Sequence, residues 1–540
     1  MKRVFYNNDN NCFFYRQLLY NLPVNEESLK EYINQYSGSN ITDFSINTFG
    51  QVSMFKNDST ECENDMLKSI SDELGYDFND RNRKINYHLE WMKMLQDLWD
   101  KNIDHIKVWI NELRKIGIRP WISIRTNDAH HLFHDSYYWP KFRKDHDGEY
   151  EIVRHRKPID YLEKCFDYSI DTVRNRIINV VKENLDRYDV DGIEIDFMRE
   201  MDSFQYGSEF FGREILNDFM RTIKKMVLQY ETKYGHKIEI GVRVMTTPEY
   251  NQEMGFDIIE WAKEGLVDVV VPTPRYRMDN NPPYYFWKQI MEPYGVDVLS
   301  GFEIIIKVGN REWTNIPEDI NTVETVFGSS ASFLSQGVDG LYFFNYFDNL
   351  YDCSKYSVVD YKKCKNNSED SLKTPYGFYR LWFEMKLDDS IYDLPRRNIY
   401  TFSDKAPMWR CSNPFQTTPS IDNGIPRELV GYDKNGVINP AFYRVITGKI
   451  LKNSKVILYL GLTKPLSEID GFTLFVNSKP VKYIGEKECV KPKLTNSKLY
   501  AFEIENDGNM PDVQILEIYI DSVKSGGMLD YIEISINKDF

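Results

Sequence analysis

The stretch Asp191-Gly-Ile-Glu-Ile-Asp-Phe197 decides the fold. Read with the period of two of a strand, it puts Gly192, Glu194 and Asp196 on one face and Ile193, Ile195 and Phe197 on the other. Apolar residues on one side and two acids on the other suit a strand of a closed parallel barrel. There the apolar face packs on surrounding helices, and the other face points inward. An acid at the carboxyl end of such a strand stands at the rim, where barrels of this kind place their chemistry.

Working outward, seven further β-branched or aromatic runs read as strands: 3–7, 42–48, 119–126, 237–245, 267–272, 297–304 and 337–345, with the quoted stretch inside 190–197. Helical patterns fill the gaps. Asn25-Glu-Glu-Ser-Leu opens one with a cap residue and early acids, and Val173, Ile177, Val180, Val181 and Leu185 line one face of another. Eight strands alternating with helices predict a (β/α)8 TIM barrel over residues 1–390. Two connections are long, about 49–86 and about 127–162, and both follow strand carboxyl ends. The second is rich in His and aromatic residues (Ala129-His-His-Leu-Phe-His134) and is expected to wall a pocket. Beyond Met385 the helical period fades. Alternating segments at 398–402, 456–461, 472–476, 499–504, 515–520 and 531–536 predict an all-β, sandwich-like module over 391–540.

Glu194 and Asp196 both point into the predicted barrel. Buried acids need partners, and Arg125 and Arg243 on the neighbouring strands are placed to supply them for Glu194. Asp196, at the rim, is the functional candidate. The other strand ends add Asn8 and Asp9, Asn47, Asn127 and Asp128, Thr273 and Arg275, Glu303, and Asn345 and Asp348, with Arg199 and Glu200 following the fourth strand. A ring of carboxylates, amides and arginines matches a hydroxyl-rich ligand, which takes many short hydrogen bonds. Glycoside hydrolysis needs two carboxyl groups across one bond, one ionised and one protonated. Asp196 and Glu303, from strands four and seven, are the expected pair. Glu200, Glu194, Asp128 and Asp348 remain rivals for the acid. Asp9, Asn47, Arg125, Asn127, Glu194, Arg199, Glu200, Arg243, Arg275 and Asn345 are expected to bind substrate. Four arginines are many for a neutral sugar, so two or more facing an open pocket would indicate an anionic substrate.

The segment Asp191-Gly-Ile-Glu-Ile-Asp-Phe-Met-Arg-Glu200, with Asp9 after the first strand, Trp121-Ile-Ser-Ile-Arg125 in the third and a trailing β module, resembles the bacterial glycosyl-hydrolase-like barrels of the family-10-like group. In outline it is also similar to the fourth strand of the α-amylase and α-galactosidase groups. That resemblance implies an O-glycosyl hydrolase with Asp196 as nucleophile; with the pair read from the residues, a retaining enzyme with Glu303 as acid/base is expected. Chitinase-like barrels carry a Glu where Met198 stands, so their substrate-assisted route is not implied. The alternative is a sugar-binding barrel without catalysis.

Composition sets the outer bounds. The 540 residues are 42% apolar and carry 37 Tyr, 32 Phe and 10 Trp, rings that suit either a large core or sugar stacking. The net charge of −15 argues against nucleic acid and anionic membranes as partners. No run approaches the ~18–20 apolar residues of a membrane span, and no signal-type leader is visible, so a cytoplasmic location is expected, with secretion the alternative if a leader has been removed. Seven scattered Cys without a CxxC, and adjacent His130 and His131 without HxH or HExxH spacing, predict no metal site and no cofactor.

Overall fold

The structure is a computed structural model. It describes all residues except 1, 57–60, 81, 130–131, 133–138, 160, 275–277, 307–319, 345, 347–374, 402–424, 434, 489–494, 522–525 and 538–540. Eight parallel strands close on themselves in sequence order. They are β1 (Arg3–Asn8), β2 (Asp43–Phe49), β3 (Arg119–Arg125), β4 (Gly192–Asp196), β5 (Glu239–Met245), β6 (Val269–Thr273), β7 (Asp297–Glu303) and β8 (Gly340–Phe344). Closure runs through β1 and β8, with Arg3 opposite Gly340 and Tyr6 opposite Phe343. The alternation read from the sequence holds. Ile193, Ile195 and Phe197 join the core between barrel and helices, while Glu194 and Asp196 lie inside.

The interior is layered from floor to mouth. At the floor, Arg3 pairs with Asp43 at 2.8 Å, with Glu239 at 3.2 Å and with Asp297 at 3.4 Å, and Arg119 pairs with both Asp43 and Glu239. Above it Phe5, Trp121, Val269, Val271, Leu299, Tyr342 and Phe344 form a small core of their own. Trp121 fills the centre, donating from Nε1 to Asp43 at 2.9 Å. Only a glycine fits beside it on β4, because a Cβ at Gly192 would lie 2.5 Å from the indole ring. The barrel is therefore packed through its middle, with one charged network at the floor and another at the mouth.

Helices form where the caps indicate. Asn25 caps the helix Glu26–Asn34 through a reciprocal box with Ser28. The 49–86 connection is not a plain loop, for it holds the helix Glu63–Leu74. That helix has a narrow apolar stripe and starts at Cys62, a residue type that seldom caps, so its sequence carries no clear start signal. Helix Asn11–Leu19, between β1 and β2, is a further element beyond those expected. The 127–162 connection contains the short helix Lys141–Asp145.

Beyond the barrel the chain forms two antiparallel sheets, one of six strands and one of four. Strand Ala441–Ile446, absent from the expected set, has Phe442 on its exposed face, which spoils the apolar/polar alternation. The six-stranded sheet includes Arg396–Ile399, paired with the final strand Met528–Ile536. Arg397 and Glu533 form a buried ion pair at 2.8 Å across that pairing. These strands pack directly on the barrel helix Val323–Ser335: Asn398 donates to the Gly328 carbonyl at 2.8 Å, and Asn280, from the segment after β6, donates to the Ile399 carbonyl at 2.8 Å. The module thus braces the barrel flank.

Candidate active site at the barrel mouth

β4 delivers Asp196 to the mouth, and the backbone fixes it there. The Asp196 carbonyl accepts from Thr126 N and Oγ1, each at 3.1 Å, which ties β4 to the end of β3. Its side-chain Oδ1 accepts from the backbone N–H groups of Met198 at 2.9 Å and Arg199 at 3.2 Å. Those two bonds turn the chain sharply after the strand and hold the carboxylate in one orientation.

Arg243 on β5 joins the two expected catalytic acids. Its Nη1 lies 3.1 Å from Asp196 Oδ2, and its Nη2 lies 2.9 Å from Glu303 Oε1. The guanidinium also stacks on Phe344 at 3.6 Å from the ring centroid. Burial opposes its charge, and Asp196, Tyr342, Glu303 and Glu194 outweigh that effect, so Arg243 is held above its ordinary value. Strands four and seven therefore meet at one cation. The end of β7 is pinned in turn, since the Glu303 carbonyl accepts from Asn321 Nδ2 at 3.0 Å and from the Tyr346 hydroxyl at 3.2 Å. Asn321 and Tyr346 follow strands as isolated polar residues without a motif, and nothing in the sequence singles them out.

Glu194 sits one layer below Asp196, and the expectation that arginines satisfy it is corrected here. Its Oε1 accepts from Ser123 Oγ at 2.6 Å and from Asn7 Nδ2 at 3.0 Å. Burial, with the Asp196 charge adding to it, pushes its carboxyl up to about 7. Its side chain is buried. Arg243, expected among the substrate contacts, has both its Nη atoms engaged by the two acids.

Arg125 is buried and pairs with Asp9 and, at 3.4 Å, with Asp128. Arg199 approaches Asp128 at 3.7 Å. The three described arginines thus face acids, and the anionic-substrate idea loses its support among the described residues. Arg275, Asn345 and Asp348 lie outside those residues, as do His130 and His131. Asn127 serves the scaffold: its amide donates to the carbonyls of Phe166 and Asp202 and accepts from Phe166 N at 2.8 Å. Asn47 is buried at the end of β2, and its Oδ1 has no hydrogen-bond partner. Glu200 is buried just beyond the turn that Asp196 holds.

Comparison with known proteins adds outline only. No family model matches the sequence, and no curated protein matches it, so the family-10-like resemblance has no counterpart in either comparison. Among solved structures, α-L-fucosidase isoenzyme 2 from Paenibacillus thiaminolyticus is 11% identical with a TM-score of 0.37, over 64% of this chain and 46% of that one. An Anoxybacillus α-amylase is 10% identical with a TM-score of 0.34, over 96% and 98%. This chain thus spans less than half the length of the first of these. Likeness at this level assigns no activity, and the functional reading rests on the mouth of the barrel.

Proposed function

We propose that this chain is a glycoside hydrolase acting on an oligosaccharide or glycan, with Asp196 as its ionised carboxylate. The observation that carries the reading is the gathering of Asp196 and Glu303, from strands four and seven, on the single guanidinium of Arg243 at the carboxyl rim. Cleaving a glycosidic bond takes two carboxyl groups close together in a dry, preorganised site. Two acids that touch the two ends of one planar cation suit the closer spacing of retaining enzymes. In that mechanism Asp196 attacks the anomeric carbon, aimed by the Met198 and Arg199 amides. Glu303 protonates the leaving oxygen and then activates water, which requires its bond to Arg243 to yield as the proton is taken up. Glu200 is the alternative acid.

A second reading is favoured by one specific observation. Asp196, Arg243 and Glu303 are sealed from solvent, at 0%, 1% and 1% exposure. A structural ion-pair triad in a sugar-binding barrel without catalysis would have the same property. Hydrolysis of a broad aryl-glycoside panel by the wild type and Asp196→Asn separates the two. Loss of turnover with binding retained supports the hydrolase; equal hydrolysis by both proteins removes Asp196 from catalysis. Leaving-group dependence then identifies the acid. The variant among Glu303→Gln and Glu200→Gln that slows poor leaving groups far more than dinitrophenyl glycosides has lost it.

A further inference from the structure

Glu194 belongs to no step of that mechanism, yet the barrel is built around it. Asn7 on β1 and Ser123 on β3 donate to Oε1, Asp196 lies above it on its own strand, Arg243 is on β5, and Tyr342 is on β8. Among the described residues no cation is hydrogen-bonded to it, and the Arg243 Nη atoms engage Asp196 and Glu303. The direct donors are neutral. An ionised Glu194 would make three carboxylates around one guanidinium in a site closed to water.

The hydrogen-bond inventory points the same way. Asn7 Oδ1 is buried without a donor. The Tyr342 hydroxyl stands against Glu194 as well. A carboxylate only accepts, whereas a carboxylic acid brings an O–H. A proton on Glu194 supplies a donor beside Asn7 Oδ1, which lacks one.

We propose that Glu194 is a positioning residue that carries a proton beneath Asp196, confining the negative charge of the pair to Asp196, and that its hold on this proton weakens when the Asp196 charge is cancelled. The significance for turnover rests on the hydrolase reading; the proton itself does not. The coupling follows from charge. While Asp196 is ionised, a second ion below it is opposed, in agreement with burial and Asp196 together raising the Glu194 carboxyl to about 7. Once Asp196 is neutral, that opposition falls away.

Infrared difference spectroscopy on the full chain tests this without any substrate. At pH 6 the wild type should show a buried carboxylic-acid C=O band that Glu194→Gln lacks, and this band should titrate away with a midpoint near pH 7. In Asp196→Asn the midpoint should move toward the ordinary carboxylate range. If Glu194→Gln does not fold, wild type labelled with 13C-glutamate reads the same band by its isotope shift. Absence of the band at pH 6 overturns the proposal, and so does a midpoint that Asp196→Asn leaves in place. The pH profile gives the catalytic arm: in Glu194→Gln the alkaline limb of kcat/KM should move to higher pH, whereas a merely structural Glu194 leaves its position unchanged and overturns the positioning role. If the band behaves as expected but no glycoside is hydrolysed, the proton assignment stands and the hydrolase reading falls.

Discussion

Replacing Arg243 with Gln removes the cation on which the upper barrel depends. The guanidinium is 1% exposed and lies 3.1 Å from Asp196 and 2.9 Å from Glu303. Removing one partner of a buried ion pair costs about 3–5 kcal/mol, because the remaining charge is left without compensation. Here two carboxylates lose the same partner, which places the loss at the upper end, near 5 kcal/mol at pH 7.5. Loss of the stacking on Phe344 adds to it. The variant can relieve the repulsion by holding a proton on one acid that the unfolded chain would release. Its native state then binds more protons than its unfolded state, so its stability falls as pH rises, by about 1.4 kcal/mol per unit. Urea unfolding followed by tryptophan fluorescence at pH 5.5 and 7.5 measures this directly. The deficit relative to wild type should be roughly 2–3 kcal/mol smaller at the lower pH. A deficit below about 1 kcal/mol, equal at both values, would refute the view that this arginine neutralises both acids.

Three further outcomes can be checked. The raised Glu194 carboxyl makes the folded state hold a proton between pH 4.5 and about 7 that the unfolded chain gives up, so this group alone lowers stability by roughly 3 kcal/mol as pH rises through that window. His105, which burial pushes down to about 4, works in the opposite direction, so the slope must be taken as the difference between wild type and Glu194→Gln; an identical pH dependence for the two excludes it. Gly192→Ala puts a Cβ 2.5 Å from the Trp121 ring, which is held by Asp43, and should cost about 1–3 kcal/mol in thermal unfolding; a neutral result means the indole can move aside. Gly328→Ala should lower Tm and speed proteolysis at the junction with the β module, even though Ala favours a helix, because the added Cβ would lie 2.0 Å from the Arg397 carbonyl oxygen; unchanged cleavage would show that the junction yields.

The barrel was legible because its signal is periodic. All eight strands coincide with the runs read from the sequence, and the alternation in Asp191–Phe197 identified which side chains face inward. Alternation gives a side chain's face but not its partner across the barrel. That is why Arg243 and Arg125 could be placed at the mouth while their partners could not: Asp196 and Glu303 for one, Asp9 and Asp128 for the other. Such pairings depend on the stagger between strands, which period two does not encode. Asn127 illustrates a second limit. An amide at a strand end reads the same whether it meets a sugar hydroxyl or, as here, the backbone of Phe166 and Asp202. The helix Glu63–Leu74 went unread for want of a usual cap and a broad apolar stripe.

Helix Val323–Ser335 is buried from Val323 to Leu334 because barrel and β module cover opposite sides of it. The strand that provides this cover is Arg396–Ile399, which is held in turn by its partner Met528–Ile536, far later in the sequence. During synthesis, therefore, β8 can emerge and the barrel can close while the strand that covers this helix at Gly328 still awaits its own partner. A nascent chain halted near residue 390 would present that sticky side to its surroundings. The module is thus better regarded as part of the barrel's own packing than as a detachable appendage, and versions shortened to the barrel should depend on chaperones or aggregate.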